Sequence, residues 1–230
     1  MSNRKLLEPF TVNYTPYTIA KRLVDIIAAV VGILVFGVPM LLITGASWLE
    51  SRRNVIFAQT RVGSGGKLFK MYKFASMTTR TDEEEREFLD RLGKENPKLL
   101  AEYRANNFKF KDDPRITHVG RFIRRFSVDE LPQFLNVLEG DMSLVGPRAY
   151  KPDELEHQVK SHPELESDVR TLLTVKPGVT GLWQVSGRSE VDFPQRVKMD
   201  AVYARHQSLL EDLVIIFKTP LAMLGGKGAY

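Results

Sequence analysis

The 230-residue chain has no cysteine. Disulfide staples, thiolate nucleophiles and cysteine-ligated metals are therefore excluded, and a reducing compartment is the expected setting. Histidine is scarce, and His118, His157, His162 and His206 stand at spacings that match no metal-ligand pattern. The sequence shows no internal repeat or low-complexity segment. A cleavable export leader is not expected either. The apolar run near the N-terminus follows a long polar arm and is closed by Glu50, Arg52 and Arg53 rather than by small residues. The glycine-rich stretch GSGGK, Gly63 to Lys67, is not a phosphate loop, because Leu68 stands where Ser or Thr is needed.

Lys and Arg number 33 against 28 Asp and Glu, a net charge of +5 that favours anionic partners. Nucleic acid is a poor fit, since the basic residues are not interleaved with an aromatic platform. A chain of this length forms one ordinary domain, or a domain with an appendage.

From Ile26 to Leu49 no residue is charged, which makes the run a membrane-span candidate. Pro39 divides it into halves, and at about 1.5 Å per residue neither half alone crosses a hydrocarbon core of about 30 Å. A kink is expected at Gly37 to Pro39. Arg4, Lys5, Lys21 and Arg22 precede the run and Arg52 and Arg53 follow it, so the positive-inside bias acts on both ends. A re-entrant helix hairpin over residues 21–50 is the expectation, with a tilted single span and a buried soluble helix as competitors. Asp25 would then sit at headgroup depth.

Residues 54–77 alternate as two strands joined at Gly63 to Gly66, with Lys70 and Lys73 on a strand edge, where lysines are usually solvated. Thr81 and Glu84 form a capping box that opens a solvated helical excursion over residues 82–107, whose charged faces are assigned no specific task. LLEDLVIIFKTPLAML, residues 209–224, is apolar but broken by Lys218 and Pro220, and reads equally as an interfacial or a core-facing helix. The fold class is α+β and mostly helical: an arm over residues 1–20, the membrane helix, and a cytoplasmic domain over residues 51–230 with a β-hairpin and interfacial amphipathic helices.

The chemistry concentrates in SVDELPQFLNVLEGDMSLVGPRA, Ser127 to Ala149. Ser127-x-x-Glu130 is a capping box, and Asp129 in a first helical turn would complement the helix dipole, which is a purely structural reading. Successive helical side chains diverge by about 100°, however, so Asp129 and Glu130 cannot both serve one cap. A helix N-terminus also attracts phosphate, and an ionised Asp there can act as a nucleophile on phosphorus. Arg115, Arg121, Arg124 and Arg125 before the pair and Arg148 after it could clamp a phosphoryl group. Asp112 and Asp113 before Pro114, and Asp141 after Gly140, read as turn residues. VKPGVTGLWQVSGR, Val175 to Arg188, is either a tight loop over the core or, through Trp183 and Gln184, a wall against a base or sugar.

Taken in order, KRLVDI at Lys21, QTRVG at Gln59, KFASM at Lys73, the stretch from Asp113 to Ala149 and KPGVTGLWQVSGR at Lys176 give the chain a resemblance over nearly its whole length. It resembles the bacterial sugar transferases, the monotopic polyprenyl-phosphate phosphoglycosyl transferases that start capsule, exopolysaccharide and O-antigen assembly. The resemblance implies transfer of a sugar-1-phosphate from a UDP-sugar to undecaprenyl phosphate, with release of UMP. It implies Asp129 as the nucleophile that forms a phosphosugar ester, with Glu130 assisting at the metal or at the nucleophile. Mg2+ is the expected cofactor, with Glu130 and Asp141 as its ligands. Substrate contacts are expected from Arg148, Arg115, Arg124, Lys73, Gln184 and Arg188, and membrane seating from Lys21, Arg22 and Pro39. The expected location is the bacterial inner membrane, with the catalytic domain on its cytoplasmic face among membrane lipids. A homodimer is compatible with relatives that dimerise.

Three positions depart from the family pattern: Ala75 where Arg is common in KFRSM, Ala149 after Pro147-Arg148, and Val38 before Pro39. Next to larger members the chain reads as a minimal catalytic unit. The sugar is not legible, with UDP-glucose or UDP-galactose preferred on resemblance alone. The competing reading is a catalytically silent membrane adaptor that docks acidic lipids or an assembly partner.

Overall fold

The computed structural model describes residues 8–12, 15–78, 81–105, 110, 113–126, 128–187 and 191–224. Helix α1, Pro16–Ser51, starts at a reciprocal Thr15–Thr18 capping box with Pro16 in its first turn, and ends where Arg52 turns left-handed at φ 52°. Pro39 lies inside this helix without dividing it. The two-part helix expected from the sequence is thus a single helix of 36 residues, about 54 Å long. Packing on both sides of the proline accounts for this. Phe36 stacks on Phe134 before it, and Met40 and Ile43 pack on the cluster of Val55, Phe74 and Ile123 after it.

One stripe of α1 faces the rest of the chain. Lys21, Asp25, Ala29, Gly32 and Ser47 are buried along it, whereas Leu34, Val38, Leu41 and Leu42 on other faces are exposed. The residues expected at headgroup depth turn inward instead. Lys21 Nζ lies 2.5 Å from Asp212 and 4.0 Å from Asp25. Arg22 donates to the Val137 and Leu138 carbonyls, and Asp25 accepts from Ser143 Oγ and the Leu144 N–H, each at 3.0 Å. At the other end, Glu50 accepts from the backbone N–H groups of His118, at 2.7 Å, and Val119, at 3.1 Å. The buried charges of Lys21 and Asp25 are tolerated only with such partners, and together with the bonds of the exposed Glu50 they tie both ends of α1 to one body.

Strands β1, Ile56–Val62, and β2, Leu68–Phe74, form the expected antiparallel hairpin, with Gly65 and Gly66 at positive φ in the connection. The excursion is two helices, α2, Asp82–Glu95, and α3, Pro97–Ala105, and Thr81 caps the first. Its charges have work after all. Glu84 pairs with Arg53, and Glu85 with Arg115 at 3.4 Å. Helix α4, His118–Arg125, leads to a short 3-10 turn, Val128–Glu130, and then to α5, Gln133–Glu139.

Beyond α5 come β3, Ser143–Val145; α6, Pro152–Ser161; α7, Glu166–Leu172; β4, Gly178–Thr180; α8, Leu182–Ser186; α9, Phe193–His206; and α10, Leu209–Leu224. β3 and β4 pair in parallel, and Gly178 permits the contact because a Cβ there would lie 2.1 Å from the Gly146 nitrogen. α10 has a core-facing side, where Asp212 and Ile215 are buried, while Leu210, Phe217 and Leu221 are exposed.

Candidate active site

Asp129 and Glu130 lie in the 3-10 turn, not in the first turn of α5 as the sequence suggested. Pro132 occupies the N-cap of α5, and no side chain caps it. Ser127, the expected partner in the capping box, lies outside the described residues. Freed from capping, both carboxylates face neighbouring elements.

β2 supplies the first of these. Its Lys73, solvated by strand position alone but expected at the substrate from the resemblance, places Nζ 2.6 Å from Glu130 Oε1. Asn136, wholly buried on α5, holds the two elements in register: its Oδ1 accepts from the Tyr72 N–H at 2.9 Å, and its Nδ2 donates to the Lys70 carbonyl at 2.7 Å. The side chain thereby completes the free edge of β2 as a neighbouring strand would.

The two carboxylates are driven apart in acidity. Burial first, then repulsion from Glu130, pushes Asp129 upward against the pull of Lys73 and Arg124. Burial also acts on Glu130, but the charge and hydrogen bond of Lys73, with Arg148 and Arg61 behind it, hold its carboxyl below the usual range. Adjacent carboxylates with diverging acidity are a recurrent feature of acid–base and nucleophilic sites. Each has its own cation as well: Arg124 on α4 acts on Asp129, and Arg148 acts on Glu130. The Nη1 of Arg124 is buried without a hydrogen-bond partner among the described residues.

Arg148 is held through its backbone. Its N–H and the Tyr150 hydroxyl both donate to Asp200 Oδ2 at 3.0 Å, and its guanidinium lies over the Trp183 ring, 5.2 Å from the centroid. Arg196 lies over the same ring at 4.7 Å. Gln184, beside Trp183 on α8, donates through Nε2 to the Val179 carbonyl at 3.2 Å. Arg61 donates to Gln59 and to the Ala149 carbonyl, which fixes the chain just after Arg148.

Two sequence-predicted residues are not part of this assembly. Arg115 is 4% exposed and enclosed by Asp113, Glu85 and the rings of Phe88 and Phe110. Bonded to Asp113 and Glu85 and flanked by both rings, it anchors the α2–α3 excursion. Asp141 follows the C-terminal end of α5, whereas Glu130 precedes its start, so a helix about 10 Å long separates the two expected metal ligands. Among the described residues no cluster of three or more His, Asp or Glu could hold a metal ion. Arg188 lies outside the described residues.

The sequence reading passed over Arg61, Arg196, Tyr150 and Asp200. Arg196 and Asp200 stand four apart on α9 and look like a solvated surface pair. The fold instead buries Asp200 completely, and burial pushes its carboxyl up to about 7 against the Arg148 N–H, the Tyr150 hydroxyl and the two arginines.

Residues 16–226 match the family described as bacterial sugar transferase. The chain belongs to that family. It is 45% identical over 213 residues to the undecaprenyl-phosphate galactose phosphotransferase of Salmonella typhimurium, an alignment that covers 91% of this chain and 41% of the relative. It is 41% identical over 211 residues to the exopolysaccharide production protein ExoY of Rhizobium meliloti, covering 92% of this chain and 88% of the relative. With the UDP-glucose:undecaprenyl-phosphate glucose-1-phosphate transferase of Escherichia coli it shares 38% identity, covering 91% of this chain and 41% of the relative. The chain thus spans about two-fifths of the length of the first and last of these sugar transferases and most of ExoY.

Proposed function

We propose that the chain transfers a sugar-1-phosphate from a UDP-sugar to undecaprenyl phosphate at a membrane surface, with Asp129 as the covalent nucleophile. The observation that carries this reading is the Asp129–Glu130 pair on the 3-10 turn, split in acidity, with Lys73 bonded to Glu130 and the charge of Arg124 acting on Asp129. An Asp129 oxygen attacks the sugar-linked phosphorus, the phosphoanhydride bond breaks, and its bridging oxygen and electron pair leave with UMP. An oxygen of the lipid phosphate then attacks the same phosphorus, and the bond to Asp129 breaks to restore the carboxylate.

Both displacements are in line, so the lipid phosphate must approach from the side that UMP vacated. UMP therefore departs before the lipid phosphate is seated. Arg124 and Arg148 would neutralise the equatorial phosphoryl oxygens, and Lys73 keeps Glu130 ionised beside the nucleophile. The concentrated negative charge of Asp129 and Glu130 suits a divalent cation shared with the donor phosphates. Bound there, Mg2+ would supply charge neutralisation to the leaving oxygen.

The seating of α1 supports a monotopic arrangement. This helix is long and apolar enough to cross a membrane by length and composition. Yet Lys21, Arg22 and Asp25 near one end and Glu50 at the other are bonded to the same body, which favours both ends lying on one side of the bilayer. Its apolar outer face, with Leu210 and Phe217 of α10 and the exposed Phe122–Phe126 pair beside Arg121 and Arg125 of α4, suits burial in one leaflet among anionic headgroups. The inner membrane, cytoplasmic side, is the proposed site of action, because UDP-sugars are cytoplasmic metabolites. The test is UMP release by nanodisc-held protein from a panel of UDP-sugars with Mg2+ and undecaprenyl phosphate, beside Asp129→Asn. The wild type should release UMP with at least one donor and the variant with none; turnover by Asp129→Asn would refute the covalent scheme.

A further inference from the structure

Around Arg148, three elements bring together buried polar atoms that have no partner among the described residues. Three are donors: Arg148 Nε, Arg196 Nε and Trp183 Nε1. Two are acceptors: Gln184 Oε1 and Asp200 Oδ1. Buried groups of this kind are nearly always satisfied, so five unmet valences in one neighbourhood indicate that something else meets them.

The charges point the same way. Two guanidiniums lie over one indole, at 5.2 and 4.7 Å from its centroid, and each raises the cost of the other's charge. Arg196 is lowered by burial first and then by Arg148. The neighbouring acid, Asp200, is itself pushed toward its neutral form, so it offsets the pair poorly. Two desolvated cations held in place on a ring form a preorganised anion site, and guanidinium forks suit phosphate oxygens. Gln184 Oε1 adds an acceptor, and Asp200 Oδ1 an acceptor when ionised or an O–H donor when neutral, which a bare phosphate cannot use fully but a pyrimidine N–H or a ribose hydroxyl can.

We propose that Arg196, Trp183 and Arg148, with Gln184 and Asp200, form the subsite for the nucleotide half of the donor, the part released as UMP. This deepens the transfer reading and rests on it for the identity of the ligand. Arg148 acts on Glu130 and also stands over Trp183, so it joins the reacting phosphate to the nucleotide. Arg196 and Trp183 lie beyond it and set how tightly UMP is held, and hence when the place is cleared for the lipid phosphate.

The experiment is calorimetric titration of UMP, and separately of inorganic phosphate, into the full chain in nanodiscs, for wild type, Arg196→Met and Arg196→Lys. Arg196→Met should weaken UMP by about ten- to a hundredfold, the worth of a charge-assisted hydrogen bond, and Arg196→Lys should recover part of the loss. Because Arg196→Lys retains charge and bulk, it guards against misreading a folding defect, which a melting curve of each variant reports directly. UMP affinity indifferent to both substitutions, or inorganic phosphate bound as tightly as UMP, would overturn the assignment. Arg196-dependent UMP binding without UMP release from any UDP-sugar would uphold the subsite and sink the transfer reading. Normal release with Arg196-independent UMP affinity would do the reverse.

Discussion

Asn136 makes a demanding test of how the site is held together. Its side chain is wholly buried and joins α5 to β2 through bonds of 2.9 and 2.7 Å to main-chain groups of Tyr72 and Lys70. Asn136→Ala would strand one backbone donor and one acceptor, each costing about 1–3 kcal/mol, for a total of about 2–6 kcal/mol. For a chain of this size each kcal/mol shifts the melting temperature by about 2–4 °C, so a fall of about 4–24 °C is expected in a nanodisc melting experiment. The neighbouring Glu139→Gln, at an exposed residue 3.4 Å from the Tyr72 hydroxyl, should shift it by little. Asn136→Asp keeps an acceptor for the Tyr72 N–H but turns a carboxylate oxygen toward the Lys70 carbonyl, so it should not rescue. Since β2 carries Lys73 to Glu130, activity should fall along with stability. A melting temperature for Asn136→Ala within about 1 °C of wild type would refute the claim that this side chain fixes the register of the two elements.

Other predictions concern separate parts of the molecule. Asp200 has its folded-state pKa raised from 3.8 to about 7, so its ionisation opposes folding. Stability should fall as pH rises from about 4 to about 7 and then level off, by at most about 4 kcal/mol. Asp200→Asn keeps the acceptor used by Arg148 and Tyr150, so it should gain on wild type in melting temperature between pH 5 and pH 8; parallel curves would contradict this. At Gly32 a Cβ would lie 2.7 Å from Phe134 Cζ, so Gly32→Ala should destabilise the α1–α5 contact by about 1–3 kcal/mol, and Phe134→Leu should relieve part of that in the double variant. Arg115→Met should lower the melting temperature through loss of the α2–α3 anchor, yet leave the donor KM unchanged. A raised KM with an unchanged melting temperature would return Arg115 to the phosphate clamp.

Where a signal is local, the sequence carries it plainly. Alternation and the glycine turn mark β1 and β2, and Thr81 marks the start of α2. What it did not carry is whichever charge folding would bury. Lys21 was expected only to seat the membrane helix, residue type left Lys73 on a strand edge until the resemblance placed it at the substrate, and Arg196 and Asp200 were passed over, because burial of a charge depends on a partner distant in the chain: Asp212 for Lys21, Glu130 for Lys73. Arg115 shows the same in reverse, since the nearby Asp113 and Phe110 close its cage only together with Glu85 and Phe88 of the excursion. Pro39 does not end α1, whose residues on either side of it pack on other elements. The carboxylate pair was found, but its setting was not: a 3-10 turn ahead of α5 frees both side chains that a helix start would have used as caps.

The central claim is that Asp129 carries the phosphosugar. Its most direct test is the mass of the intact protein after exposure to a UDP-sugar that it consumes, with Mg2+ and without undecaprenyl phosphate, followed by fragmentation of the peptide spanning Val128 to Glu139. The account predicts added mass equal to one sugar phosphate residue, located on Asp129, absent in Asp129→Asn and discharged when the lipid phosphate is supplied. An unmodified protein that nevertheless releases UMP only when the lipid is present, or an adduct on any other residue, would contradict it.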